Sequence, residues 1–214
     1  MLEQAAVVLF GMSLLYISTT SRLGAYIKVL IIQGFMLFVL ALAHAETLGA
    51  GHTAFIAFET VVVKALVVPY FITRLMNKMD VRRDAESYID NFLSLIFATT
   101  VIVLSFALAV ALKAVDRTVD VLTLGVSLSA VVMGLFIMTT RKKLITHVMG
   151  YLVLENAIFM LSLSIAAEVP TIVEAGVLLD VFMGVFLMGI MINKIKSEFE
   201  TEEVDELCEL KDCK

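Results

Sequence analysis

Seven long, mostly apolar stretches follow one another through this chain, at residues 4–20, 25–43, 53–75, 91–112, 120–140, 144–166 and 171–194. About 20 apolar residues rising about 1.5 Å each cross the hydrocarbon core of a bilayer. Backbone polar groups find no water there, so such segments must satisfy them internally, as helices do. The connections between the stretches are short and leave no room for a soluble domain. The expected fold is therefore all-α, a polytopic membrane bundle of about seven transmembrane helices. Composition agrees: 60% of residues are hydrophobic and 17% charged, with a mean hydropathy of +0.98, well beyond the roughly 45–50% apolar content of soluble domains.

Lysine and arginine fix the expected orientation, because cytoplasmic loops carry their excess. On alternate sides, one face holds Arg22, Lys28, Arg74, Lys78, Arg82, Arg83, Arg141, Lys142, Lys143, Lys194 and Lys196, and the other only Lys113 and Arg117. The N-terminus is expected outside and the C-terminus in the cytoplasm. Glu3 stands where a signal peptide would be basic, and no small-residue cleavage site follows, so the first stretch is expected to remain as a helix. The net charge of −5 comes largely from the tail KSEFETEEVDELCELKDCK. That tail cannot bury enough apolar surface to fold alone and is expected to be disordered. Its Cys208 and Cys213 are too few for a four-coordinate metal site. Nothing in the charge pattern favours nucleic acid.

The stretch ETVVVKALVVP, from Glu59 to Pro69, carries an ammonium in the middle of the third predicted span. Lys64 lies about 16 Å from either surface at 1.5 Å per residue, beyond the reach of its own stem, and must face protein or internal water. In α-helical geometry Glu59 is about 140° away around the helix, so the two are not expected to form the usual ion pair. Pro69 has no N–H to give the carbonyl of Ala65, which makes that carbonyl a candidate acceptor beside the ammonium.

Two further spans place acids at similar depth. Glu155 lies near the middle of the sixth, with Tyr151 and Ser162 on its face at helical spacing. Asp180 lies near the middle of the seventh, with Gly176 and Gly184 one turn to either side, where small residues admit a neighbouring backbone. Glu174 is nearer the outer surface. Lys64, Glu155 and Asp180 thus fall near one depth. Burial favours their neutral forms and opposite charges favour the ionised ones, the balance a lateral proton relay requires. The same groups could instead be static pairs holding helices in register.

His44, His52 and His147 read as interfacial, and MNKMDVRRDAESYIDN as a solvated helical linker. No phosphate-binding loop, nucleophile elbow or metalloprotease motif is present in the sequence. A retinal protein is disfavoured by the absence of Trp and by a lysine in the third span.

VKALVVP in the third span, GYLVLEN in the sixth and VPTIVEAGVLLD leading into the seventh together resemble component E of hydrogenase-4-type membrane-bound [NiFe] hydrogenases, which include formate hydrogenlyase complexes. On that resemblance Lys64, Pro69, Gly150, Tyr151, Glu155, Asn156, Pro170, Glu174, Gly176 and Asp180 occupy motif positions, and Glu59 does not. The last three spans also resemble the small 4L-type (K) subunit of respiratory complex I and its counterpart in multisubunit cation/proton antiporters. Asp180 falls where that subunit's third-helix glutamate would be, and Glu155 lies about one turn beyond the second-helix glutamate.

The resemblance implies a four-helix region over 1–112, a 4L/K-like three-helix region over 113–195 and an acidic cytoplasmic tail over 196–214. It implies a non-catalytic multi-pass subunit of the cytoplasmic (inner) cell membrane, binding no cofactor of its own. Its partners would be antiporter-like subunits, a complex I H-like membrane anchor, and a peripheral arm holding the NiFe centre and iron–sulfur clusters. Electron transfer in that arm would drive proton or sodium movement through Lys64, Glu155, Asp180, Glu174 and Glu59, supported by Pro69, Tyr151, Asn156, Gly176 and Gly184. The alternatives are a passive spacer of the same membrane arm, or a subunit of a related complex I-like or antiporter complex.

Overall fold

A computed structural model describes residues 1–43, 58–78, 87–117, 119–165 and 189. The chain divides into a unit over 1–177 and a second over 178–214, of which residue 189 alone is described. The first unit is helical: α1 (Leu2–Thr19), α2 (Leu23–Ala43), a π-helical segment π1 (Glu59–Val67) running into α3 (Val68–Lys78), α4 (Asn91–Val115), α5 (Val121–Thr140) and α6 (Leu144–Ile165). Among the described residues, five helices, α1, α2, α4, α5 and α6, are long and apolar enough to cross a membrane. They are apolar around most of their circumference, which suits lipid on one side and protein on the other.

The third predicted span is where α-helical expectation fails. Over Glu59–Val67 the N–H groups reach back five residues instead of four, so each turn takes more residues to close. The separation of about 140° between positions 59 and 64, computed for an α-helix, does not apply there. Nor does the four-residue count that ties Pro69 to the carbonyl of Ala65. Proline comes directly after the change of register, so the ladder shifts from five to four where a donor is missing anyway. π-helical geometry is rare, and where it interrupts an α-helix it is frequently at a functional site.

α5 and α6 form the tightest pair. A Cβ on Gly134 would stand 2.7 Å from the backbone N of Leu154, and one on Gly150 would stand 3.0 Å from the backbone N of Met138. Two glycines thus let the hairpin close backbone to backbone, as small residues do between membrane helices. α4 packs on α5 through the Phe97–Phe136 stack, with ring centroids 4.2 Å apart, and through Phe106 against Gly125. The other side of α4 exposes Phe92, Leu93, Val103, Leu104 and Val110.

The connection between α5 and α6 buries Arg141, which is 2% exposed. Its guanidinium donates to the carbonyls of Ser18 (3.2 Å) and Thr20 (3.3 Å) and lies over the Tyr26 ring. A helix leaves its last carbonyls without N–H partners, and a cation there also suits the helix dipole. Arg141 therefore serves as the cap of α1 from a distant part of the chain, where the sequence reads as a solvated loop cation. Ser87 pairs with Arg141 in an antiparallel bridge and Tyr88 N–H donates to the Thr140 carbonyl. Residues 87–90 are accordingly not part of a helical linker, and 79–86 lie outside the described residues.

Candidate functional site

The two charges read at membrane depth in the third and sixth spans meet. Lys64 Nζ stands 3.4 Å from Glu155 Oε1, with the side chains 6% and 3% exposed. This is longer than the roughly 2.7–2.9 Å of a tight charge-assisted hydrogen bond, so the pair is held mainly by charge. The ammonium also lies 5.0 Å from the centroid of Phe159, one helical turn beyond Glu155 on α6. An aromatic face at that range attracts a cation. Carboxylate and ring each offset part of the hydration that Lys64 gives up.

Asn156, adjacent to Glu155, is buried and donates from Nδ2 to Gln33 Oε1 on α2 at 3.3 Å. Gln33 is 0% exposed and donates from Nε2 to Ser13 Oγ on α1 at 2.9 Å, and Ser13 donates to the Phe10 carbonyl at 2.6 Å. Each of these residues lies near the middle of its helix. The site is thus a polar layer crossing π1, α6, α2 and α1, with the ion pair at one end and a backbone carbonyl at the other. Buried amides are tolerated only when bonded, and here each finds a partner.

Tyr151 lies one turn before Glu155 with its hydroxyl buried, and Ser162, two turns beyond, donates to the Phe159 carbonyl at 2.7 Å. Pro69 is buried at the start of α3, with its carbonyl accepting from Thr73 at 2.7 Å. Glu59 opens π1, and its side chain lies outside the described residues, as do Glu174, Gly176, Asp180 and Gly184. His147 contacts the Lys143 carbonyl at 2.8 Å through Nδ1. Among the described residues no three His, Cys, Asp or Glu side chains converge as a metal site.

Gln33 and Ser13 are the residues that reading by charge misses. The available signal was a lone amide in the middle of LIIQGFML, where nothing but protein could satisfy it.

The chain is similar to an uncharacterized protein of Mycobacterium tuberculosis, with 27% identity over 158 residues that cover 73% of this chain and 72% of the relative. That name states no activity. No family model matches the sequence, and no solved structure matches it.

Proposed function

We propose that this chain is a non-catalytic membrane subunit of an energy-converting [NiFe] hydrogenase complex, taking part in proton or sodium translocation coupled to electron transfer. The observation that carries the translocation part is the Lys64–Glu155 pair, buried among helices long and apolar enough to span a membrane. Ionisable groups at that depth are costly, and ion pathways are where membrane proteins use them. The hydrogenase part rests on the resemblance of VKALVVP, GYLVLEN and VPTIVEAGVLLD to component E.

In this reading the chain crosses the cytoplasmic membrane seven times, with the N-terminus outside. It packs between antiporter-like subunits and the membrane anchor of a peripheral arm that holds the NiFe centre and iron–sulfur clusters. Loss or gain of one charge at Glu155 changes the field at Lys64 directly, because the two are 3.4 Å apart in a medium that screens weakly. On the resemblance, Asp180 belongs to the same relay.

The test uses the assembled complex in sealed vesicles, with hydrogen turnover and ion uptake measured together. Glu155→Gln and Asp180→Asn should each lower ion uptake per turnover while hydrogen turnover stays measurable. Unchanged uptake in assembled complexes sinks the relay. Loss of assembly without uncoupling points to the passive spacer.

A further inference from the structure

The pair's two helices do not set its distance by themselves. π1 packs on α2 and not extensively on α6, and Lys64 reaches Glu155 by the length of its stem. α2 is the element that packs on both. Among its contacts to them, two come from consecutive residues that face the neighbours of the two charges. Gln33 accepts from Asn156, the neighbour of Glu155, and a Cβ on Gly34 would stand 3.2 Å from the backbone N and 3.3 Å from the Cα of Ala65, the neighbour of Lys64. One side chain and one missing side chain therefore locate the backbones that carry the two charges.

We infer that Gln33 and Gly34 are positioning residues that set the separation of Lys64 and Glu155. This rests on the reading of that pair as the translocation site. An ion pair in a weakly screening interior is sensitive to separation, and the Phe159 ring that the ammonium also faces lies on the same helix as Glu155, so both contacts lengthen together when the helices part. Gln33 is itself held from behind by Ser13, so its amide cannot turn away from Asn156 without leaving another buried group unbonded. At Gly34 the tolerance is a few tenths of an ångström against backbone, which has little freedom to retreat.

The experiment measures the distance directly. Full-length protein carrying ¹⁵N-lysine side chains and ¹³C-carboxyl glutamate, in lipid, is studied by solid-state NMR dipolar dephasing. Lys64→Met, which should remove the Lys64–Glu155 contribution, identifies it. Gln33→Leu and the graded pair Gly34→Ala and Gly34→Val should weaken or abolish that contribution, valine more than alanine. Gly11→Ala, a glycine of the same bundle whose added Cβ would meet only the Val126 side chain at 3.4 Å, should leave it intact. Ser13→Ala, a milder cut at the far end of the hydrogen-bond chain, serves if Gln33→Leu does not fold and should weaken the contribution in the same direction. A Lys64-dependent signal that is unchanged in folded Gln33 or Ser13 and Gly34 variants overturns the inference alone. A wild-type protein with no Lys64-dependent signal overturns the pair, and the inference with it.

Discussion

Removing either charge of the central pair should cost far more than removing both. At 3.4 Å and an effective dielectric of about 20, the Coulomb attraction between Lys64 and Glu155 is about 5 kcal/mol. Most of that offsets the desolvation of two groups that are 6% and 3% exposed. Lys64→Met deprives the buried Glu155 carboxylate of this counter-charge, and Glu155→Leu does the same to the buried ammonium. Each single change should destabilise by about 3–5 kcal/mol, the usual consequence of breaking a buried pair. The double variant Lys64→Met/Glu155→Leu has no unpaired charge to bury and should return to near wild-type stability. The coupling energy from the cycle should then be about 3 kcal/mol or more. Reversible unfolding of the full chain in bicelles with an ionic detergent provides the free energies. Additive single effects, or a coupling below about 1 kcal/mol, would refute the description of these groups as a mutually compensating pair.

Phe159→Leu keeps apolar bulk but removes the ring face, and should cost about 0.5–2 kcal/mol in the same unfolding assay, an effect that disappears in a Lys64→Met background. Arg141→Met removes two charged hydrogen bonds to the end of α1 and should cost at least about 2 kcal/mol. Its signature is faster amide hydrogen exchange in the last turn of α1. Gly134→Ala places a Cβ at 2.7 Å from the backbone of Leu154 and should cost at least about 1–3 kcal/mol, read as a lower thermal midpoint, because helix backbone must move to admit it.

Hydropathy was sufficient to find the five long helices, and charge inside apolar runs was sufficient to single out Lys64 and Glu155, though not to pair them, because both signals come from large solvation energies. Orientation around the third span was not legible. The 100° rule assumes a register that Glu59–Val67 does not adopt, and nothing in the composition of VVVKALV announces the change. The burial of Arg141 was hidden, since the carbonyls it caps belong to residues 18 and 20, far away in the sequence. Ser13 and Gln33 escaped notice for a related reason. Hydroxyls and amides barely disturb an apolar run, and their importance emerges only when helices from opposite ends of the chain bring them together.

The hydrogen-bond chain from Asn156 also has a direction. Ser13 gives its proton to the Phe10 carbonyl, which obliges it to accept from Gln33, which in turn obliges Gln33 to accept from Asn156. Every link donates toward α1 and the last acceptor is a peptide oxygen. Primary amides have no proton to surrender under physiological conditions, so the row conducts nothing. It insulates. In the proposed reading, a proton reaching Glu155 finds no group along Asn156 and Gln33 that can pass it on, and the charged group beside it is Lys64, 3.4 Å away.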